Sequence, residues 1–260
     1  MGMAVSLDVR DDVEGMPGLA ELVAWLHHVD RTFSTYLPES QISRLGRGEL
    51  HLGEVTAEVR DVLLECEALR QATGGAFDAF VVPAPNGTTL DPSGYVKGWA
   101  IERAAGILEA NGLHHFAVNA GGDVVVRGTP TPDPAWRVGV RDPADAARLS
   151  AVLVVEGSLA VATSGTYERG AHLIDPRTGA PTADVASVTV AGPDLGRADA
   201  YATAVFVMGE PGMAWLSAQD SYEGLMLTHD DRRITTAGIE RWMVADPASG
   251  VGHQPDRGLR

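Results

Sequence analysis

Residues 113–127 read LHHFAVNAGGDVVVR, and their order decides the fold class. Two β-rich runs, 115–119 and 123–126, flank an Ala-Gly-Gly turn. The same texture continues downstream in the short runs 136–140, 151–155, 159–163, 187–190 and 225–228. Strands that follow one another with only turns between them pair antiparallel, because a parallel neighbour needs a long crossover. The expected class is therefore α+β: a single domain with a largely antiparallel sheet and flanking helices, rather than regular βαβ winding.

Helical periodicity is concentrated before residue 113. Leu19, Leu22, Val23, Leu26 and Val29 recur at helical spacing across 17–33. Thr56 is placed to cap a second helix carrying Val59, Val62, Leu63 and Leu69, which Gly74-Gly75 would end. A third helix is expected over 98–110, with Ile101, Ala104, Ala105 and Leu108 on one side and Gly112 as its stop. A fourth is expected over 198–208. With no repeat or linker in between, 1–245 reads as one domain and 246–260 as a flexible tail bearing Pro and Gly.

Composition removes several function classes. Among 260 residues, 35 acidic and 20 basic side chains give a net charge of −15, which argues against gripping nucleic acid or an anionic membrane. An apolar fraction of 45% with 21% charged residues is that of a folding chain. Cys66 is the only cysteine, so an internal disulfide and a cysteine-cluster metal site are both impossible, as suits a reducing compartment. Asp8, Arg10, Asp11 and Asp12 interrupt the stretch where a signal peptide would be apolar, and no apolar run approaches the ~20 residues of a membrane span. A cytoplasmic location without a membrane anchor is expected. The apolar strands beyond Val185, if exposed, would support a dimer.

The chain has no Walker loop, GxGxxG, HExxH or GxSxG signature. It has instead four small-residue clusters that end in polar groups, at 73–78, 90–98, 119–123 and 163–165. Singly, each reads as a turn. Together they resemble backbone opened for an anionic ligand, with Asp, Lys or Ser supplying orientation. Asp199 and Thr203 stand four apart and share a helix face, so two hard oxygens point one way. That spacing suits a Mg²⁺ half-site, and it equally suits Asp199 as a helix cap with Thr203 packed behind it. His172, among apolar neighbours in a polar segment, is a candidate general base.

The order of these blocks resembles the ApbE-type flavin transferases, the FAD:protein FMN transferases. Met1-Gly2, Phe33-Ser-Thr-Tyr36, Ile42-Ser-Arg-Leu45, the four clusters, 172–179 and 198–204 follow one another as that family's blocks do. The resemblance implies an ApbE-like enzyme that uses Mg²⁺ as cofactor and FAD as substrate. It would move FMN to a threonine hydroxyl of an acceptor protein and release AMP. It also implies roles by position. Gly94 (through its carbonyl), Asp199 and Thr203 would be metal ligands and His172 catalytic, while Met1, Tyr36, Ala76, Phe77, Asp78, Asp91, Lys97 and Leu173 would contact FAD. Two other functions fit the same residues: a Mg²⁺-dependent FAD pyrophosphatase giving FMN and AMP, and a flavin-binding protein without catalysis.

Overall fold

A computed structural model of the chain describes residues 2–81, 84–165, 174–180, 182 and 185–244. In chain order its elements are β1 (Val5–Val9), α1 (Leu19–Phe33), α2 (Gln41–Gly46), α3 (Ala57–Ala72), α4 (Ser93–Ala110), β2 (Phe116–Ala120), β3 (Asp123–Arg127), β4 (Trp136–Arg141) and β5 (Leu149–Val155). There follow β6 (Leu159–Gly165), β7 (Val185–Gly192), α5 (Leu195–Met208), α6 (Glu210–Leu216), β8 (Glu223–Thr228), β9 (Arg233–Thr235) and a 3-10 turn at Ile239–Arg241.

Among the described residues, seven strands form one sheet in the order β1-β2-β3-β6-β7-β8-β9, and each neighbouring pair is antiparallel. The remaining two, β4 and β5, form their own antiparallel ladder. The architecture is the α+β class that the turn-linked strands predict.

Strand alternation gives the large sheet two buried faces. Phe116, Val118, Val125, Ala160, Ala162, Val188, Val190 and Met226 pack into the apolar cluster formed with the helices. Their neighbours Val126, Leu159, Val161, Ala191 and Leu225 pack instead with Trp136, Val138 and Leu153 of the β4–β5 hairpin. The sheet is thus a middle layer between helices and hairpin. All eight residues of β7 are buried, as a central strand covered on both faces requires. The apolar residues of β7 are therefore interior and offer no dimer surface, while Leu227 of β8 and Ile234 of β9 are half-buried.

The helices begin and face slightly differently from their expected positions. In α1, Leu22, Val29 and Phe33 are buried, whereas Leu19 and Val23 are exposed, so the apolar stripe is narrower than the sequence spacing implies. The next long helix, α3, closes as expected: Gly75 N–H donates to Arg70 O at 2.8 Å, with Gly74 and Gly75 in left-handed backbone at φ 59° and 81°. α4 starts at Ser93, one turn and more before the expected position, and α5 starts at Leu195 with Asp194 as its cap, accepting from Arg197 N–H at 2.8 Å. β1, α2, α6 and β9 add to the expected elements. The 246–260 segment lies outside the described residues.

Candidate functional site

Two glycines bring α4 and α5 together. A Cβ on Gly98 would stand 2.3 Å from Leu195 O, and one on Gly196 would stand 2.8 Å from the Tyr95 ring. Only hydrogen fits at either position, so the two backbones cross in direct contact. Lys97 immediately precedes that crossing, and Asp199 lies one turn beyond it on α5. Asp199 is thus an interior helix residue, which removes the capping alternative: Asp194 caps instead.

The third element is the start of β3. Asp123, which is fully buried, accepts from Thr163 N–H through Oδ1 at 3.1 Å and faces Lys97 Nζ through Oδ2 at 2.7 Å. Lys97 Nζ also lies 3.6 Å from Asp199 Oδ1, so one ammonium bridges two buried carboxylates. Burying two carboxylates is expensive unless a cation accompanies them, and removing one partner of such a pair costs about 3–5 kcal/mol. On the same face, Thr203 Oγ1 is 3.3 Å from Ser164 Oγ, at the end of β6. A Cβ at Gly94 would lie 3.8 Å from Thr203 Oγ1 and 3.3 Å from the Phe77 ring. The structure therefore gathers Gly94, Lys97, Asp199 and Thr203, and adds Asp123 and Ser164.

Asp123 and Ser164 sit in two of the glycine-marked clusters, where the sequence reading gives them only a general orienting part and no place among the site residues. Composition holds a further signal: of the 20 basic residues, 19 are arginine and Lys97 is the only lysine. Arginine serves everywhere else, so the exception coincides with the place where a compact ammonium meets two carboxylates.

The other expected contacts divide. Ala76 and Phe77 are buried in the helix-side core, with Phe77 N–H bonded to Thr73 Oγ1 at 3.1 Å. Asp78 accepts from Phe80 N–H at 2.8 Å and Asp91 from Ser93 N–H at 3.0 Å, each a local turn, while Asp91 N–H reaches Ala79 O at 2.8 Å and ties the two loops together. Asp78 also borders a cleft of about 520 Å³ between the end of α3 and the 174–180 segment, shared with Arg70, Gly75 and Arg177. Arg177 closes that segment through two bonds of 2.8 Å to Asp175, and this pairing holds the Asp175 carboxyl below its usual range. Tyr36 is 78% exposed, an aromatic ring left in solvent rather than in the buried cluster. Met1, His172 and Leu173 lie outside the described residues.

The donor chemistry fits magnesium. Asp199 and Thr203 present a carboxylate and a hydroxyl one helical turn apart, both hard oxygens, and Mg²⁺ takes few ligands from protein. Among the described residues no three His, Cys, Asp or Glu side chains gather into a cage, so any metal held there would take few side-chain ligands from these types.

Comparison with known proteins identifies the family. The model of the ApbE family matches residues 1–86 and 83–226. An FAD:protein FMN transferase of Vibrio cholerae is 28% identical over 83% of this chain and 83% of its own length. One from Rhodobacter capsulatus is 38% identical over 56% of this chain, a match that spans only 29% of that protein. The structure of flavin transferase ApbE from Vibrio cholerae superposes with a TM-score of 0.79 at 24% identity, over 93% of this chain and 96% of that one, and shows that the fold is shared.

Proposed function

The chain belongs to the ApbE family, and from that premise we propose that it is an FAD:protein FMN transferase. The acceptor would be a threonine hydroxyl of another protein. Its oxygen attacks the phosphorus on the FMN side of the pyrophosphate, a new P–O bond forms, and the bridging P–O bond breaks. AMP leaves with the bridging oxygen and the electron pair, and His172 takes the hydroxyl proton, a role worth roughly 10²- to 10⁴-fold in rate.

The observation that carries this reading is the half-buried Lys97, held 2.7 Å from Asp123 and 3.6 Å from Asp199 beside the Thr203 and Ser164 hydroxyls. Phosphoryl transfer depends on positioning and charge more than on covalent chemistry. Lys97, fixed by two carboxylates, offers a phosphate oxygen a positive charge that needs no reorganisation. Asp123 aims that ammonium, and its own bond to Thr163 N–H fixes it to β6. Asp199, Thr203 and the Gly94 carbonyl would hold Mg²⁺, which when bound supplies the charge that offsets the pyrophosphate's. Asp78 and Asp91, fixed by their turns, and the exposed Tyr36 ring would hold the flavin and nucleotide portions, with Ala76 and Phe77 shaping the loop between them.

Incubating the protein with FAD, Mg²⁺ and a flavin-carrying acceptor domain tests the reading. Flavin fluorescence that stays with the acceptor on a denaturing gel, lost when EDTA replaces Mg²⁺, is the expected result. Rapid AMP release without acceptor would make the protein a pyrophosphatase instead, and FAD binding without AMP under any condition would make it a carrier.

A further inference from the structure

The three elements that carry the cluster are joined a second time at Glu102, one and a half helical turns beyond Lys97 on α4. Its Oε2 accepts the Leu195 N–H at 3.1 Å, at the first residue of α5, and its Oε1 pairs with the Arg127 guanidinium at the end of β3. Arg127 also reaches Glu109 at 3.2 Å. Leu195 stands one turn before Asp199, Arg127 is four residues beyond Asp123, and Glu102 is five beyond Lys97. One carboxylate therefore spans the same three elements as the site, with the Gly98 crossing between.

We propose that Glu102 is a positioning residue: by holding the Leu195 N–H and Arg127 at once, it fixes the register of α4, α5 and β3 and so sets Lys97 between Asp123 and Asp199. Glycine contact sets how closely α4 and α5 approach, and apolar packing of this kind restrains sliding less than a directional bond does. The Glu102 bonds are directional and supply that restraint. Burial pushes the Glu102 carboxyl above its usual range, against the opposing pull of the Arg127 charge and the Leu195 N–H. A carboxylate retained in such surroundings serves a geometric purpose that an apolar residue could not.

Because Lys97 is the chain's only lysine, its reactivity reports the geometry directly. Glu102→Gln and Arg127→Met would each remove one arm of the clasp, and Leu153→Ala, in the hairpin-side core, serves as a control of comparable destabilisation. Acylation of the Lys97 amine by an N-hydroxysuccinimide ester, followed by peptide mapping, should proceed roughly tenfold faster in Glu102→Gln, the effect of about 1.4 kcal/mol of lost restraint. Leu153→Ala should match wild type once both are read below their melting points. In turnover assays Glu102→Gln should lower kcat by up to about 10²-fold with the KM for FAD little changed, since misplacement rather than binding is lost. Arg127→Met should move both readouts in the same direction, and it carries the test if Glu102→Gln does not fold. Lys97 labelling and kcat at wild-type values in Glu102→Gln, with only the melting temperature lowered, would make Glu102 a structural residue and overturn the proposal. The kinetic arm rests on the transferase reading and the labelling arm does not, so a wild-type protein that transfers no FMN would sink that reading while labelling still decides Glu102.

Discussion

The two faces of the seven-stranded sheet are built from the same alternating strands but hold different contents. On the hairpin side, Val126, Trp136, Val138, Leu153, Val161 and Ile239 make an apolar layer. On the helix side the apolar cluster is larger, yet the carboxylates of Asp123 and Asp199 are buried there around the half-buried Lys97 ammonium. An apolar layer contributes stability through area removed from water and tolerates exchange of one hydrophobe for another. A charge triad built on buried carboxylates contributes little net stability and is sensitive to geometry. The difference between the faces is that the hairpin face is apolar throughout, whereas the larger helix face also carries the charges on which the proposed chemistry rests.

The sharpest way to break this comparison is at the triad. Asp199→Asn keeps shape but removes a charge, and transfer is expected to fall by at least about 10³-fold while the fold persists, as circular dichroism would show. Lys97→Arg should fall nearly as far, because a planar guanidinium is bulkier than the ammonium held 2.7 Å from one carboxylate and 3.6 Å from the other, and would pair with them side-on rather than as a compact point charge. Full FMN transfer by either variant would remove the triad from the mechanism.

Gly98→Ala tests whether helix crossing and chemistry are one feature. The new methyl would meet Leu195 O and the Gly196 backbone, neither of which can rotate away. Overpacking of this kind costs about 1–3 kcal/mol, and because it separates Lys97 from Asp199 the activity per folded molecule should fall along with the melting temperature. Leu153→Ala is the mirror test on the hairpin face. Leu153 is fully buried, so the cavity should cost about 2–5 kcal/mol, with kcat unchanged when measured well below the new melting point. If Leu153→Ala lowers kcat as Gly98→Ala does, the two faces are coupled and the distinction between them fails.

Much of the fold is legible because strands and turns are local. The runs around Gly121-Gly122 announce their turn, and the seven β-rich runs from 115–119 to 225–228 each fall on a strand. The start of α4 is not legible. Asp91-Pro92-Ser93-Gly94 looks like a turn, and Gly94 and Gly98 weaken a helix by propensity; packing against Gly196 of α5 overrides it. β1 is hidden for the opposite reason. It is a largely exposed edge strand whose partner, β2, is more than a hundred residues away. In the site, Asp199 and Thr203 are readable since both lie on one helix. Asp123 gains its role only when β3 is brought beside Lys97, and no local pattern encodes that pairing.

The smallest effect is expected just past the sheet's outer edge strand, away from the triad. Asp11, just after β1, accepts from His114 N–H at 3.0 Å and from His115 N–H at 2.9 Å, tying the edge strand to the approach to β2. Partial burial, the largest single influence, pushes its carboxyl up, but the two N–H donors and the nearby imidazoles together bring it below the usual range. A carboxyl depressed in the folded state contributes stability above its unfolded value of roughly 3.9 and loses that contribution as pH falls through the folded one. Asp11→Asn should therefore cost about 0.5 kcal/mol at neutral pH, the low end for a hydrogen bond at a half-exposed site. Its melting temperature should converge with that of wild type as the pH drops below roughly 4. Transfer activity should stay at the wild-type level throughout, since Asp11 touches none of Lys97, Asp123 or Asp199. Melting curves that remain parallel from neutral to acid pH would show that the tie acts through shape rather than through charge.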